Sequence, residues 1–396
     1  MRSFRDIGPG VLIAAAFIGP GTVTLCTIAG ASFGYSLIWA IILSICSTIV
    51  LQEMSLRIGL ITKMNLAQVI RINIKSKFLN RLLLILIISS ILIGNAAYEA
   101  GNITGASLGI SAILNSQSIN YIPVLIGLIA FIVLYQGDYK VLERSLVFLV
   151  LIMSISFFIT AIITKPDINA LINGVITPKI DSNNLTIILG LIGTTVVPYN
   201  LFLHSSLVSE KWNSVNKLKV ARFESFFSIL IGGVVSLSII ITAASVNNKD
   251  VNGVIDLAKG LEPLYGNFAI YFLGIGLFAS GITSSITAPL AAAYVAKSCF
   301  GWKDSLKSGK FRAIWIIILI IGVLVSMVKI NPIEIIKFAQ FSNSLLLPII
   351  AIILLWLINN KNIISSKYSY RYQNILGFFI VIISLILGTK GLISLI

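Results

Sequence analysis

Two short segments place helix-breaking residues beside side chains able to ligate an ion or hydrogen-bond a small solute. The first reads Phe17-Ile18-Gly19-Pro20-Gly21-Thr22-Val23-Thr24 and the second Gly193-Thr194-Thr195-Val196-Val197-Pro198-Tyr199-Asn200. Proline lacks an N–H and clashes with the preceding turn, and glycine permits unwinding. A helix interrupted there leaves carbonyls that suit a cation and N–H groups that suit an anion. Thr22, Thr24, Thr194, Thr195 and Asn200 stand beside those groups. Glu99 and His204 are isolated ionisable residues in otherwise apolar stretches. A carboxyl in such a setting is a candidate for charge or proton transfer, and an imidazole titrates near neutral pH. Each feature has a plainer counterpart: a kinked helix, packing hydroxyls, a hydrogen-bonded structural acid or histidine.

Composition supplies the setting. Of 396 residues, 57% are hydrophobic and only 11% charged, against about 25% charged in soluble domains; mean hydropathy is +1.00. The apolar residues fall into runs long enough to cross a bilayer as helices, about 17–25 residues each. The chain reads as an all-α polytopic membrane protein, which excludes soluble enzymes and nucleic-acid binders. Nothing shows the alternating polarity of barrel strands. Eleven spans are expected, near 8–33, 35–57, 82–112, 121–137, 145–164, 184–209, 225–247, 265–296, 313–328, 335–357 and 374–396. Cys26, Cys46 and Cys299 have neither metal-site nor disulfide-framework spacing and read as packing residues.

The formal charge of +15 is a topology signal. With the N-terminus in the cytoplasm, 22 of the 29 basic residues fall on the cytoplasmic side, as the positive-inside rule requires. The C-terminus is then outside, in a multi-pass protein of the plasma membrane. The apolar stretch Val11–Phe17 continues directly into further span and reads as retained rather than cleaved. The partners expected are the lipid bilayer and a small-molecule or ion substrate, with no nucleic acid and a monomeric state.

The whole chain, 1–396, reads as one transmembrane domain. Spans 1–5 (about 8–164) and 6–10 (about 184–357) form two five-span sets, with span 11 (374–396) added. An odd number of spans per set forces opposite topologies, and the breaks occupy span 1 and span 6, the first member of each. Matching interruptions in inverted halves point to a substrate site at mid-membrane. That is a secondary-transporter architecture. The spans hold no paired carboxylates, His-rich metal signature or nucleophile motif, so an enzyme is not expected and no cofactor is implied.

The residues that carry this pattern also resemble a known family. Gly8 to Arg71, with GPGVLIAAAFIGPG, ASFGYSLIWA and LRIG followed by NLAQVIR, is similar to the opening of the Nramp family of divalent-metal transporters. So are Gly193–Val208 (GTTVVPYNLFLHSSLV), Leu277–Ala293 (LFASGITSSITAPLAAA), Phe338–Pro348 (FAQFSNSLLLP), YKVLERS at Tyr139–Ser145 and TPKI at Thr177–Ile180. The resemblance implies a LeuT-like inverted-repeat fold, spans 1 and 6 unwound at mid-membrane, and proton-linked uptake of Mn(II), Fe(II) and similar ions. In the family, an Asp and an Asn of span 1, an Ala carbonyl and a Met thioether of span 6 hold the metal. Here Gly19 stands for the Asp, Thr22 for the Asn, Thr194 for the Ala, Val197 for the Met, and Tyr199 for the His after the proline.

The departures have a chemical direction. A thioether favours soft or late transition metals, and Val197 offers no lone pair. A carboxylate offsets the cost of stripping water from a dication by several kcal/mol in a partly dry site, and Gly19 offers none. What remains is neutral: Thr22, Thr194, Tyr199, Asn200, and Gln340 and Asn343 from span 10. Such a shell suits an ion that keeps part of its water, as Mg(II) does. The reading is a transporter of a divalent cation of atypical preference, partly hydrated Mg(II) or Mn(II). The alternatives are a small neutral or zwitterionic organic solute, or a non-transporting sensor or scaffold. The family's acidic pair on span 3 falls on Glu99 and Asn102, and the family arginine of span 9 has no counterpart beyond Arg312 at its edge. Glu99 and His204 are therefore the coupling candidates. Glu53 and Arg57, four apart, read as a local ion pair, and Lys337 as a snorkelling lysine.

Overall fold

The computed structural model describes residues 18–114, 121–137, 140–212, 214–246, 251–302, 307–364 and 370–393. Residues 8–17 of the first span, including the Val11–Phe17 stretch, and Tyr139 of the YKVLERS loop lie outside the described residues. All regular structure among the described residues is helical. Among the described residues, nine helical stretches are long and apolar enough to cross a membrane. The shorter Ile122–Gln136 and the described part of span 1, Pro20–Phe33, complete the eleven expected.

Several ends lie elsewhere than hydropathy placed them, for local reasons. Span 2 covers Ile38–Thr62 rather than 35–57. A turn at Gly34–Leu37 separates it from span 1, and Lys63 ends it in the left-handed region at φ 54°. Span 3, Lys77–Leu114, is 38 residues long, because the polar first turn, with Lys77, Asn80 and Arg81, is helical ahead of the apolar run. Span 9 begins at Gly309 rather than 313, since the Ser308 hydroxyl accepts the Phe311 N–H and caps the first turn. Spans 5, 7, 8, 10 and 11 cover Lys140–Ile163, Leu218–Ala244, Ala269–Phe300, Pro332–Asn359 and Arg371–Ile393. Span 6 is two helices, Leu185–Thr195 and Pro198–Lys211.

Two short helices join spans. Leu66–Asn73 opens with a capping box, in which Asn65 Oδ1 accepts the Gln68 N–H at 3.0 Å and Gln68 Oε1 accepts the Asn65 N–H at 3.2 Å. Ile168–Ile176 is capped by Asp167 and packs on span 2. Spans 3 and 8 share the most extensive helix–helix interface among the described elements.

Contacts at the two ends follow the alternating direction of successive spans. At one end, Asn65 at the close of span 2 donates to Ser298 of span 8 at 2.7 Å, and the Arg312 guanidinium of span 9 sits 4.1 Å from the Tyr135 ring centroid of span 4. At the other, Ser156 of span 5 and Tyr265, before span 8, bond at 2.8 Å, and Asn331, before span 10, donates to the Asn252 carbonyl at 3.3 Å. The first end carries most Lys and Arg and is called the basic end below.

The Glu53–Arg57 pair forms as expected, at 3.0 Å, but is part of a larger cluster. Glu53 also bonds Arg222 of span 7 at 2.6 Å, and Tyr370, just before span 11, lays its ring 5.0 Å from Arg57 and 4.4 Å from Arg222. The Arg57 side chain is fully buried. Lys337 bonds Glu334 on its own helix at 2.8 Å.

Candidate substrate site

The breaks in spans 1 and 6 come from their prolines. Pro20 and Pro198 each take the first helical position, where a missing N–H costs nothing and the fixed φ fits. The helices therefore begin at the prolines, and the described residues just before them, Ile18–Gly19 and Val196–Val197, are not helical. Gly21 and Thr22 are consequently helical rather than unwound. Gly19 is extended (φ −101°, ψ −178°) and caps the Pro20 helix without a side-chain bond. Val197 caps the second half of span 6, its carbonyl accepting the Asn200 N–H at 3.1 Å.

Thr22, in the first turn of the Pro20 helix, meets Thr194, in the last turn of Leu185–Thr195, with their hydroxyls 2.8 Å apart. The electropositive start of one helix thus faces the electronegative end of another. Span 10 closes over both. A Cβ on Gly21 would lie 2.3 Å from Gln340 Nε2, and a Cβ on Gly193 would lie 1.8 Å from the Gln340 backbone oxygen. Only glycine allows Gln340 to press on both broken spans. On the other flank, a Cβ at Gly19 would sit 3.3 Å from Ser284 Oγ of span 8 and 3.7 Å from the Tyr98 hydroxyl of span 3. The Tyr98 ring meets that of Tyr199 edge-on at 5.5 Å between centroids.

Gly19, Thr22, Thr194, Tyr199 and Gln340 are therefore brought together. Val197 and Asn200 flank them on the same break. Asn343, one turn from Gln340, instead turns toward span 3, its Oδ1 being 3.5 Å from where a Gly94 Cβ would lie. Thr22, Thr194, Val197, Tyr199, Asn200, Gln340 and Asn343 are all buried to 1% exposure or less. Four buried oxygens here lack a hydrogen-bond partner: Asn200 Oδ1, Gln340 Oε1, Ser284 Oγ and Tyr199 Oη. Leaving such an atom unsatisfied costs about 1–3 kcal/mol, so these atoms favour a guest that supplies donors or positive charge. Among the described residues, no three His, Cys, Asp or Glu side chains group as metal ligands.

The coupling candidates stand behind this surface. Glu99 is fully buried, accepts from Asn102 Nδ2 at 3.3 Å and faces span 9, where a Cβ on Gly322 would lie 2.5 Å from its Cγ. It follows Tyr98 directly in sequence. His204 Nδ1 donates to Gln52 Oε1 of span 2 at 2.7 Å, and its buried Nε2 has no partner. Tyr98, Ser284 and Gln52 were not among the residues singled out above. A lone hydroxyl or amide on a transmembrane helix carries no mark of the face it occupies, although adjacency to Glu99 was a usable signal for Tyr98.

Comparison with known proteins agrees with this architecture. Residues 10–394 match the model of the Natural resistance-associated macrophage protein-like family, Nramp. The Divalent metal cation transporter MntH of Staphylococcus aureus (strain JH9) is 29% identical over 419 residues, covering 96% of this chain and 89% of that one. The crystal structure of a manganese transporter from Eremococcus coleocola superposes with a TM-score of 0.80 at 21% identity, covering all of this chain and 87% of the other. Mhp1, a nucleobase-cation-symport-1 family transporter in a closed conformation with bromovinylhydantoin bound, superposes with a TM-score of 0.61 at 16% identity, over 98% of this chain and 92% of its own. These likenesses establish the LeuT-like fold. With helix breaks, inverted halves and nearly the full length accounted for, the chain belongs to the Nramp family.

Proposed function

We propose that the chain is a secondary transporter that moves a divalent cation of atypical preference, partly hydrated Mg(II) or Mn(II), across the plasma membrane. Members of this family are transporters rather than enzymes, and the similar MntH of Staphylococcus aureus is a divalent metal cation transporter. The observation that carries the finer reading is the set of unpartnered buried oxygens, Asn200 Oδ1, Gln340 Oε1, Ser284 Oγ and Tyr199 Oη, around breaks that hold neither carboxylate nor thioether. Neutral oxygen donors suit hard cations that retain water, and the absence of a sulfur ligand removes the preference for softer ions.

Access alternates as the Thr22–Thr194 contact parts and re-forms. Spans 2, 6 and 7 are suited to move together. Ser55 of span 2 donates to the Leu201 carbonyl, Gln52 holds His204, and Glu53 holds Arg222. Glu99 serves as the coupling acid and His204 as a second proton-transfer group. The N-terminus lies in the cytoplasm, so the basic end is cytoplasmic.

Flux into liposomes tests the reading. Mg(II) or Mn(II) uptake above that of empty liposomes supports it. No cation flux alongside uptake of an organic solute assigns the neutral lining to that substrate class instead.

A further inference from the structure

A second site lies away from the helix breaks. A cleft of about 590 Å³ opens at the basic end, between the short helix Leu66–Asn73 and the ends of spans 6 and 8, within the range of about 300–1,000 Å³ usual for small-ligand pockets. Arg71 and Lys297 line it, with Gln68, Trp302 and one acid, Glu210. Neither cation has an ion pair among the described residues. Gln68 uses its carbonyl on the Asn65 N–H, which leaves its NH₂ group to donate into the cleft.

The placement of Arg71 is built in. The Asn65–Ser298 bond docks the short helix on span 8, and Asn80 Nδ2 holds the Arg71 carbonyl at 2.7 Å. Gly301 ends span 8 at φ +68°, and a Cβ there would fall 1.5 Å from Arg71 Nη1. Glycine at this turn admits the guanidinium against the helix end. A plainer reading is that the two cations only balance the helix C-terminus. Spans 6 and 8 both end here, each with about half a negative charge, but among the described residues neither the Arg71 nor the Lys297 side chain hydrogen-bonds a carbonyl of those ends.

We propose that this cleft binds a phosphate-bearing anion, with the phosphate between Arg71 and Lys297 and the rest of the molecule against Trp302. A planar guanidinium fork beside a mobile ammonium is the pairing that phosphate oxygens recognise. The same chemistry is offered by an anionic phospholipid headgroup and by a free phosphate.

The test uses the purified full chain and its thermal unfolding midpoint. Inorganic phosphate is titrated in detergent against chloride of matched ionic strength, and phosphatidylglycerol nanodiscs are compared with phosphatidylcholine ones. The wild type gains stability with phosphate, with phosphatidylglycerol, or with both. Arg71→Gln/Lys297→Gln weakens that response by about tenfold or more in midpoint concentration, and Glu210→Gln strengthens it severalfold, a gain that a merely structural acid would not give. A response to phosphatidylglycerol alone identifies the headgroup, and a response to inorganic phosphate identifies a free anion. No response to either probe, or an equal response in the double variant, overturns the site.

Discussion

The hydroxyls of Thr22 and Thr194 lie 2.8 Å apart although 172 residues separate them in the chain. Each belongs to a helical turn that borders a break, so the two interrupted spans are joined by their own side chains where the main chain lets go. The bond is neutral and short in reach, suited to breaking and re-forming with substrate.

Thr22→Val keeps the shape and removes the bond, whereas Thr22→Ser keeps the bond. A neutral hydrogen bond contributes about 1 kcal/mol, or about fivefold in affinity. Liposome uptake of Mg(II) or Mn(II) should show a raised half-saturation concentration of that order in Thr22→Val and little change in Thr22→Ser. Equal uptake in both would remove Thr22 from the site.

Gly21 and Gly193 both press on Gln340 but should respond differently to alanine. At Gly21 the obstruction is a side-chain end, Gln340 Nε2, and at Gly193 it is the Gln340 backbone oxygen. Adding Gln340→Ala should therefore restore folding yield to Gly21→Ala and leave Gly193→Ala impaired. Size-exclusion profiles of the four variants provide the comparison.

Glu53→Gln withdraws the charge that Arg57 and Arg222 share. Breaking a buried pair from one side typically costs about 3–5 kcal/mol. The unfolding midpoint in detergent should drop by several degrees, and more than for Glu334→Gln, a carboxylate that is itself 57% exposed. Comparable small drops would place the Glu53 cluster in contact with water.

Glu99→Gln keeps the size of the side chain and its amide contact with Asn102 while removing the exchangeable proton. With an imposed pH gradient, the wild type should accumulate more cation than without it, and the variant should take up equal amounts in both conditions. A variant that still responds fully to the gradient would clear Glu99 of a coupling role.

The helix breaks could be read from the residues because Gly-Pro-Gly and Val-Pro act locally. Their positions shifted by a residue or two for a reason equally local: proline begins a helix well, so Pro20 and Pro198 mark the restart and not the gap. Gln340 was expected at the site by likeness to the family's tenth span, but its wedging between Gly21 and Gly193 depends on three helices meeting. Ser284 could not be told from a packing residue on its own helix. The Glu53–Arg57 pair is a matter of spacing, while Arg222, 169 residues from Glu53, becomes its neighbour only through the inverted arrangement of spans 2 and 7.

Span 11 belongs to neither five-span set, yet the residue that introduces it, Tyr370, roofs two guanidinium groups that share a single carboxylate. The cluster thus holds two guanidinium groups beneath one aromatic lid. A chain shortened before Tyr370 would keep both repeats and lose that insulation, admitting water and lipid headgroups to the joint between spans 2 and 7. The last span is better regarded as a gasket than as an appendix, and a truncated protein should leak at the joint before it loses its fold.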